Sequence, residues 1–295
     1  MNKLISLKKG NNRFGVILLL PASILLFVFF VYPILYSFYL SMTNANYFLP
    51  DFHQKFIGLS NYLKLFTEKD FMDSIKITFI YATVSTAVKL LLGFILALLF
   101  QRDIKGFGFF RAVIILPMVI TPVAAGLIWN YMYNQTFGLV NFILNVFHIP
   151  SLSWHTEPPT ALLTIILVDI WILTPFVLIV TMAGLTNIPK ELYEAAHIDG
   201  ASWWSTLTNI IIPYMKPIIV IVILLNLIDA FKVFDQVWIM TRGGPALRTN
   251  LFTIYAYKEA MLKGNIGLGS AASIIVLIIL IIISLIFIKS SRVNY

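Results

Sequence analysis

Apolar runs of two dozen residues, separated by short polar breaks, recur along the whole chain. They predict six helices, at Phe14 to Ser41, Ile75 to Phe100, Ala112 to Tyr133, Ala161 to Leu185, Ile210 to Phe231 and Leu268 to Ile288. At about 1.5 Å of rise per residue, about 20 apolar residues cross a hydrocarbon layer about 30 Å thick. The pattern therefore predicts an all-α polytopic membrane protein, a single transmembrane domain over residues 1–295. Composition agrees, with 59% hydrophobic and 12% charged residues and a mean hydropathy of +0.89. A soluble domain carries roughly 25% charge and would have no core large enough for these runs.

Charge orients the spans. Four of the first thirteen residues are basic (Lys3, Lys8, Lys9, Arg13), as are three of the eleven from Gln101 to Arg111 and two of the seven from Lys289 to Tyr295. The positive-inside rule puts these segments in the cytoplasm, which makes both termini cytoplasmic. Asn134 to Pro159 has no Lys or Arg and fits the outer side. Lys232 to Gly267 has five basic residues yet falls outside by span count. The first span is too long for the h-region of a signal peptide and lacks a small-residue cleavage site, so it reads as retained. The net charge of +8 is spread beside apolar runs and forms no single basic face, which excludes nucleic acid as a partner. The chain contains no cysteine, which removes disulfides, thiolate chemistry and Cys lipidation.

One polar stretch stands out between the fourth and fifth spans. Pro189 suits a first helical turn, and Gly200 suits a terminator. Leu192, Ala195 and Ala196 share one helical face, and Lys190, Glu191, Glu194 and His197 lie elsewhere. The spacing predicts a short amphipathic helix over about 189–203 on the inner face of the membrane. An interfacial anchor is the plain reading, with Trp203 and Trp204 among headgroups. An anchor calls for a basic polar face, however, and this one is mostly acidic. The paired alanines offer a flat patch, so a protein partner fits better.

Here the residues resemble a family. "EAAHIDG" followed after nine residues by "IIIP" is similar to the EAA signature of permease subunits of binding-protein-dependent ABC importers, with Ile212 where the signature has Leu. "VDIWILTPF" from Val168, "IDAFKVFDQVWIMTRGGP" from Ile228 and "NQTFG" from Asn134 resemble the carbohydrate-importer branch, on the side of the larger maltose permease chain and the glycerol-phosphate and multiple-sugar permeases. The resemblance implies a prokaryotic cytoplasmic-membrane subunit that is not itself an enzyme. It pairs with a sister permease, two ABC ATPase subunits and an extracytoplasmic solute-binding protein. It also implies that the amphipathic helix is a coupling helix seated in an ATPase cleft. Glu194 would make a polar contact there, Ala195 and Ala196 a close-packing surface, and Gly200 the sharp bend that follows, with Asp199 in the same ATPase-coupling set. No G-x-x-x-x-G-K-[ST] segment is present to cradle phosphates, so no cofactor is expected on this chain, and ATP and Mg would bind the partner subunits.

Polar residues inside the spans should mark the substrate route, because ionisable groups are costly there. Lys89, Asp169 and Asp229 are the conspicuous charged ones, and Asn226 lies one turn before Asp229. A sugar needs hydrogen-bonding groups and an aromatic face. Asp169, Asn226 and Asp229 with Trp171, Phe176 and Phe231 are the expected substrate set. For Lys89 the plain alternative is a structural ion pair with Asp169. Asp235 and Arg242, in the outer segment ending Gly-Gly-Pro, are expected to help dock the binding protein. The nature of the sugar stays open, including polyols and glycerol phosphate. An ion-coupled secondary transporter is a weaker alternative, because the two halves show no repeat. A membrane enzyme lacks any H-E-x-x-H or G-x-S-x-G motif.

Overall fold

A computed structural model describes residues 17–49, 54–101 and 107–291. Among these residues the regular structure is helical, apart from an isolated bridge between Thr43 and Phe56. Five helices are long and apolar enough to span a membrane: α1 (Ile17–Ser41), α2 (Lys69–Phe100), α6 (Pro158–Thr186), α8 (Trp203–Lys232) and α11 (Ile266–Ser291). Shorter helices among the described residues include Ser60–Thr67 and α3 (Gly108–Val119), α4 (Pro122–Met132), α5 (Leu139–Val146), α7 (Lys190–Ile198), α9 (Asp235–Met240) and α10 (Phe252–Tyr257).

The expected third span, Ala112 to Tyr133, is not one rod. Its residues form α3 and α4, which meet at 103°. The reason is local. Pro117 sits in a 3-10 turn at Leu116–Val119, and Ile120 and Thr121 are extended before Pro122. A proline disfavours helical geometry in the residue before it and cannot donate to the preceding turn. Pro122 then occupies a first helical turn, and the Thr121 hydroxyl caps α4 by accepting from the Ala124 N–H at 3.4 Å. Prolines elsewhere break the ladder more gently. Pro33 and Pro213 each follow a π-turn, at Phe27–Val31 and Leu207–Ile211, inside otherwise continuous helices. The predicted start of the first span at Phe14 and the basic residues Lys3, Lys8, Lys9, Arg13, Arg102, Lys105 and Arg292 lie outside the described residues.

Two compact units are defined by contact: residues up to Leu65 with Lys258–Ile275, and Phe66–Tyr257 with the residues from Val276 onward. In the first, the buried Asn61 amide donates to the carbonyls of Ser41 and Thr43, both at 2.8 Å. Glu259, also buried, takes an ion pair from Lys263 and a hydrogen bond from Asn265 at 3.1 Å. The apolar window of α1 has no buried residue, so its whole surface is available to lipid or partner.

In the second unit α2, α6 and α8 pack together. Gly93 lets α2 approach α6 closely, since a Cβ there would lie 2.6 Å from Val177 Cγ1 and 3.1 Å from the Leu178 backbone nitrogen. Apolar lipid gives no hydrophobic drive between helices, so such close backbone contact supplies much of the packing energy. Toward the α7 end, Ala97, Leu178, Leu185, Leu207, Ile211 and Met215 form an apolar core.

Candidate coupling helix and substrate cavity

Helix α7 stands where α6 ends. Pro189 is its N-cap residue, and Ile188 and Tyr193 anchor it on the apolar core just described. Its C-terminus closes as a Schellman turn. Gly200 takes φ +67°, its N–H donates to His197 O at 3.1 Å, and the Ala201 N–H donates to Ala196 O at 2.9 Å. Those bonds satisfy carbonyls that a helix end leaves bare, and the left-handed residue they need is cheapest as glycine. A Cβ at Gly200 would meet no atom within 4 Å, so backbone conformation and not crowding explains the residue.

The faces of α7 differ from the expected ones in one position. Glu194, Ala195 and Asp199 are exposed, while Ala196 is only 7% exposed and packs into the chain's own core. The expected flat patch of two alanines is therefore half a patch. Ala195 faces outward, and a large residue at Ala196 would strike the protein's own interior before it met any partner. Ile198, 84% exposed, extends the outward apolar surface beside Ala195. Trp203 and Trp204 are also exposed, 58% and 65%.

At the other end of the unit, a cavity of about 290 Å³ is lined by residues from α4, α6, α8 and α9. Asp169, Asp229 and Asp235 contribute carboxylates, Lys232 an ammonium and Gln236 an amide, and Phe234 gives an aromatic wall. Phe234 is stacked on Trp238 with centroids 5.8 Å apart and planes at 11°, and Tyr257 packs on both rings. Asp229 holds Lys232 at 3.2 Å, a half-exposed i, i+3 pair on the last turn of α8.

Asp169 is held from behind. Lys89 Nζ lies 2.8 Å from its Oδ2, with side-chain exposures of 0% and 2%. The Gln236 amide donates to its Oδ1 at 3.4 Å and lies 3.5 Å from the Tyr81 hydroxyl. This knot joins α2, α6 and α9. Breaking such a buried pair strands a charge, so its first role is to fix the cavity floor. Lys89 therefore takes the structural ion-pair alternative.

The remaining expected substrate residues are not brought to this cavity. Asn226 is 2% exposed and donates to Val222 O at 2.9 Å, leaving its Oδ1 without a partner. Phe231 is 1% exposed, packed edge-to-face on Phe79 at 5.0 Å. Trp171 is half-buried and packs edge-on to Trp129 at 5.4 Å, and Phe176 is half-buried on α6. The expected set of six thus separates, and only Asp169 and Asp229 line this cavity. Asp235, expected at the docking surface, joins them there.

Residues 89–290 match the family model described as "Binding-protein-dependent transport system inner membrane component". The chain belongs to this family. Among curated relatives, the trehalose/maltose transport system permease protein MalF of Thermococcus litoralis is 33% identical over 286 residues, covering 97% of this chain and 96% of that protein. The trehalose transport system permease protein SugA of Mycobacterium tuberculosis is 32% identical, over 96% of this chain and 90% of its own length. A chain from the crystal structure of a bacterial ABC transporter that imports the acidic polysaccharide alginate superposes with a TM-score of 0.82 at 23% identity, covering 99% of both chains. Its likeness shows the fold.

In this transport component, sequence reasoning missed Lys232, Phe234 and Gln236. All three fall just beyond the predicted end of the fifth span at Phe231, in what reads as a loop start. The signal was the alternation of aromatic and polar residues in "FKVFDQVW". Further along, Arg242, Gly243, Ala246 and Leu247 all take positive φ, at 49°, 84°, 45° and 61°. For the non-glycines this is strained backbone, and the surroundings must hold it. The buried Thr249 hydroxyl does so, 2.7 Å from the Thr241 hydroxyl and 2.5 Å from Gly244 O. Arg242 is exposed on this braced loop. A groove of about 470 Å³ runs between its Ala246–Arg248 segment and the first turns of α2, with Lys69, Asp70, Asp73 and Lys76 in its wall.

Proposed function

We propose that the chain is one permease half of an ATP-driven importer that takes a sugar from an extracytoplasmic binding protein. α7 lies on the cytoplasmic side and couples the spans to an ATPase, and both termini share that side. A sister permease completes the pathway, and two ATPase subunits bind ATP and Mg. The carrying observation is the outward face of Glu194, Ala195 and Ile198 on a helix rigidly tied to the ends of α6 and α8. A push on α7 would reach the spans through Ile188 and Tyr193, which pack it on the apolar core between α2, α6 and α8. The sugar assignment is supported by the cavity's carboxylates, amide and aromatic wall, a combination that suits hydroxyls on one face of a ring and C–H groups on the other. It is also supported by the trehalose and maltose named for the relatives. The braced loop with Arg242 and the charged groove beside it suit docking of the binding protein.

ATPase activity of the complex co-purified in lipid, with and without the sugar-loaded binding protein, tests this reading. The expected result is stimulation by the loaded protein. Ala195→Trp should abolish it, and Glu194→Ala should reduce it about tenfold while the subunits still assemble. Wild-type stimulation in an assembled Ala195→Trp complex would remove α7 from the coupling path.

A further inference from the structure

We infer that the cavity admits an uncharged sugar and turns away one bearing a carboxylate or phosphate. The inference rests on the sugar-permease reading and names the charge class taken by that same site. Among the side chains lining the cavity, Asp169, Asp229 and Asp235 are carboxylates and Lys232 is a cation. Lys232 already faces Asp229 at 3.2 Å. Lys89, the cation behind the wall, is fully buried and turned to Asp169 at 2.8 Å. Both cations are thus matched by a carboxylate, and Asp235, exposed on the first turn of α9, is a carboxylate in surplus.

An incoming anion would meet like charge here and could gain a counter-ion only by separating an existing pair. Like charges brought together across a binding surface act as a filter against the wrong partner. Sugar hydroxyls gain from the same arrangement, because each can donate a charge-assisted hydrogen bond to a carboxylate oxygen. The wall of Pro122, Ile172 and Phe234 suits the C–H face of a ring. A shared fold does not carry charge preference with it, so likeness to a transporter of an acidic polysaccharide leaves this site free to choose otherwise.

Equilibrium binding to the assembled complex in lipid, without its binding protein, isolates the permease's own filter. The probes are glucose-based mono-, di- and trisaccharides and the same sugars each carrying one uronate. The uronates should bind at least about tenfold more weakly at low salt. The gap should narrow as ionic strength rises, which a purely steric filter would not do. The double variant Asp229→Asn with Asp235→Asn should shrink it to below about threefold. Equal or tighter binding of the uronates overturns the inference and leaves the sugar-permease reading standing. If no sugar binds, while the ATPase responds to a binding protein loaded with a different solute, both fall.

Discussion

The two proposed functional ends of the second unit are built by different rules. The proposed coupling end is local: one nine-residue helix, one glycine and a core that holds it. The cavity end is assembled from α4, α6, α8 and α9, with its floor fixed by Lys89, a residue 80 positions from its partner. Local construction means that damage on the exposed face of α7 should remain in coupling. Long-range construction means that damage at the cavity floor should spread into folding.

The largest test of that contrast is Lys89→Ala. It leaves Asp169 buried without its cation, an imbalance that costs about 3–5 kcal/mol, so the complex should melt well below wild type. The double variant Lys89→Met with Asp169→Leu should recover most of the loss, because two apolar groups of similar volume need no counter-ion. Failure of that rescue would show that the pair acts through substrate or gating and not through packing.

A smaller effect separates the neighbouring alanines of α7. Ala196→Trp overpacks a closed site and should destabilise the chain by about 1–3 kcal/mol, lowering yield and assembly. Ala195→Trp should leave melting unchanged and remove only ATPase stimulation. If both variants behaved alike, α7 would not be the one-sided device described. Gly200→Ala comes next. With open space around the added methyl, only the left-handed backbone penalises it, by about 1 kcal/mol. Thermal melting measures that, and a loss well above it would mean that the turn also touches a partner.

The same contrast explains what could be read from the sequence. Helix α7 was legible because its signals lie within a dozen residues: Pro189, the acidic and alanine positions, and Gly200. Periodicity could not distinguish Ala195 from Ala196, since adjacent residues 100° apart both fit a broad stripe, and only burial in the folded chain, present at Ala196 and absent at Ala195, decides between them. The long spans were legible from apolar length alone. The break at Pro117 to Pro122 was hidden because apolar composition continues through it, and only the paired prolines marked it. The cavity was least legible. Asn226 and Phe231 are polar and aromatic residues in the right span, but they turn inward to Val222 and Phe79. Lys232, Phe234 and Gln236 reach the site from beyond the apolar run. Nothing in spacing fixes the rotation of one span against another.

The smallest effect lies outside both ends, in the segment between α5 and α6, and bounds how far the contrast extends. Partial burial lowers the His155 pKa below its ordinary 6.5, and its Nδ1 has no partner. The folded state therefore binds this proton more weakly than the unfolded state does. Stability from this residue is complete above pH 6.5 and is lost as pH falls toward the depressed folded value. The melting temperature should thus drop modestly on acidification below that point, and less in His155→Gln. An equal drop in both proteins would assign the acid sensitivity elsewhere.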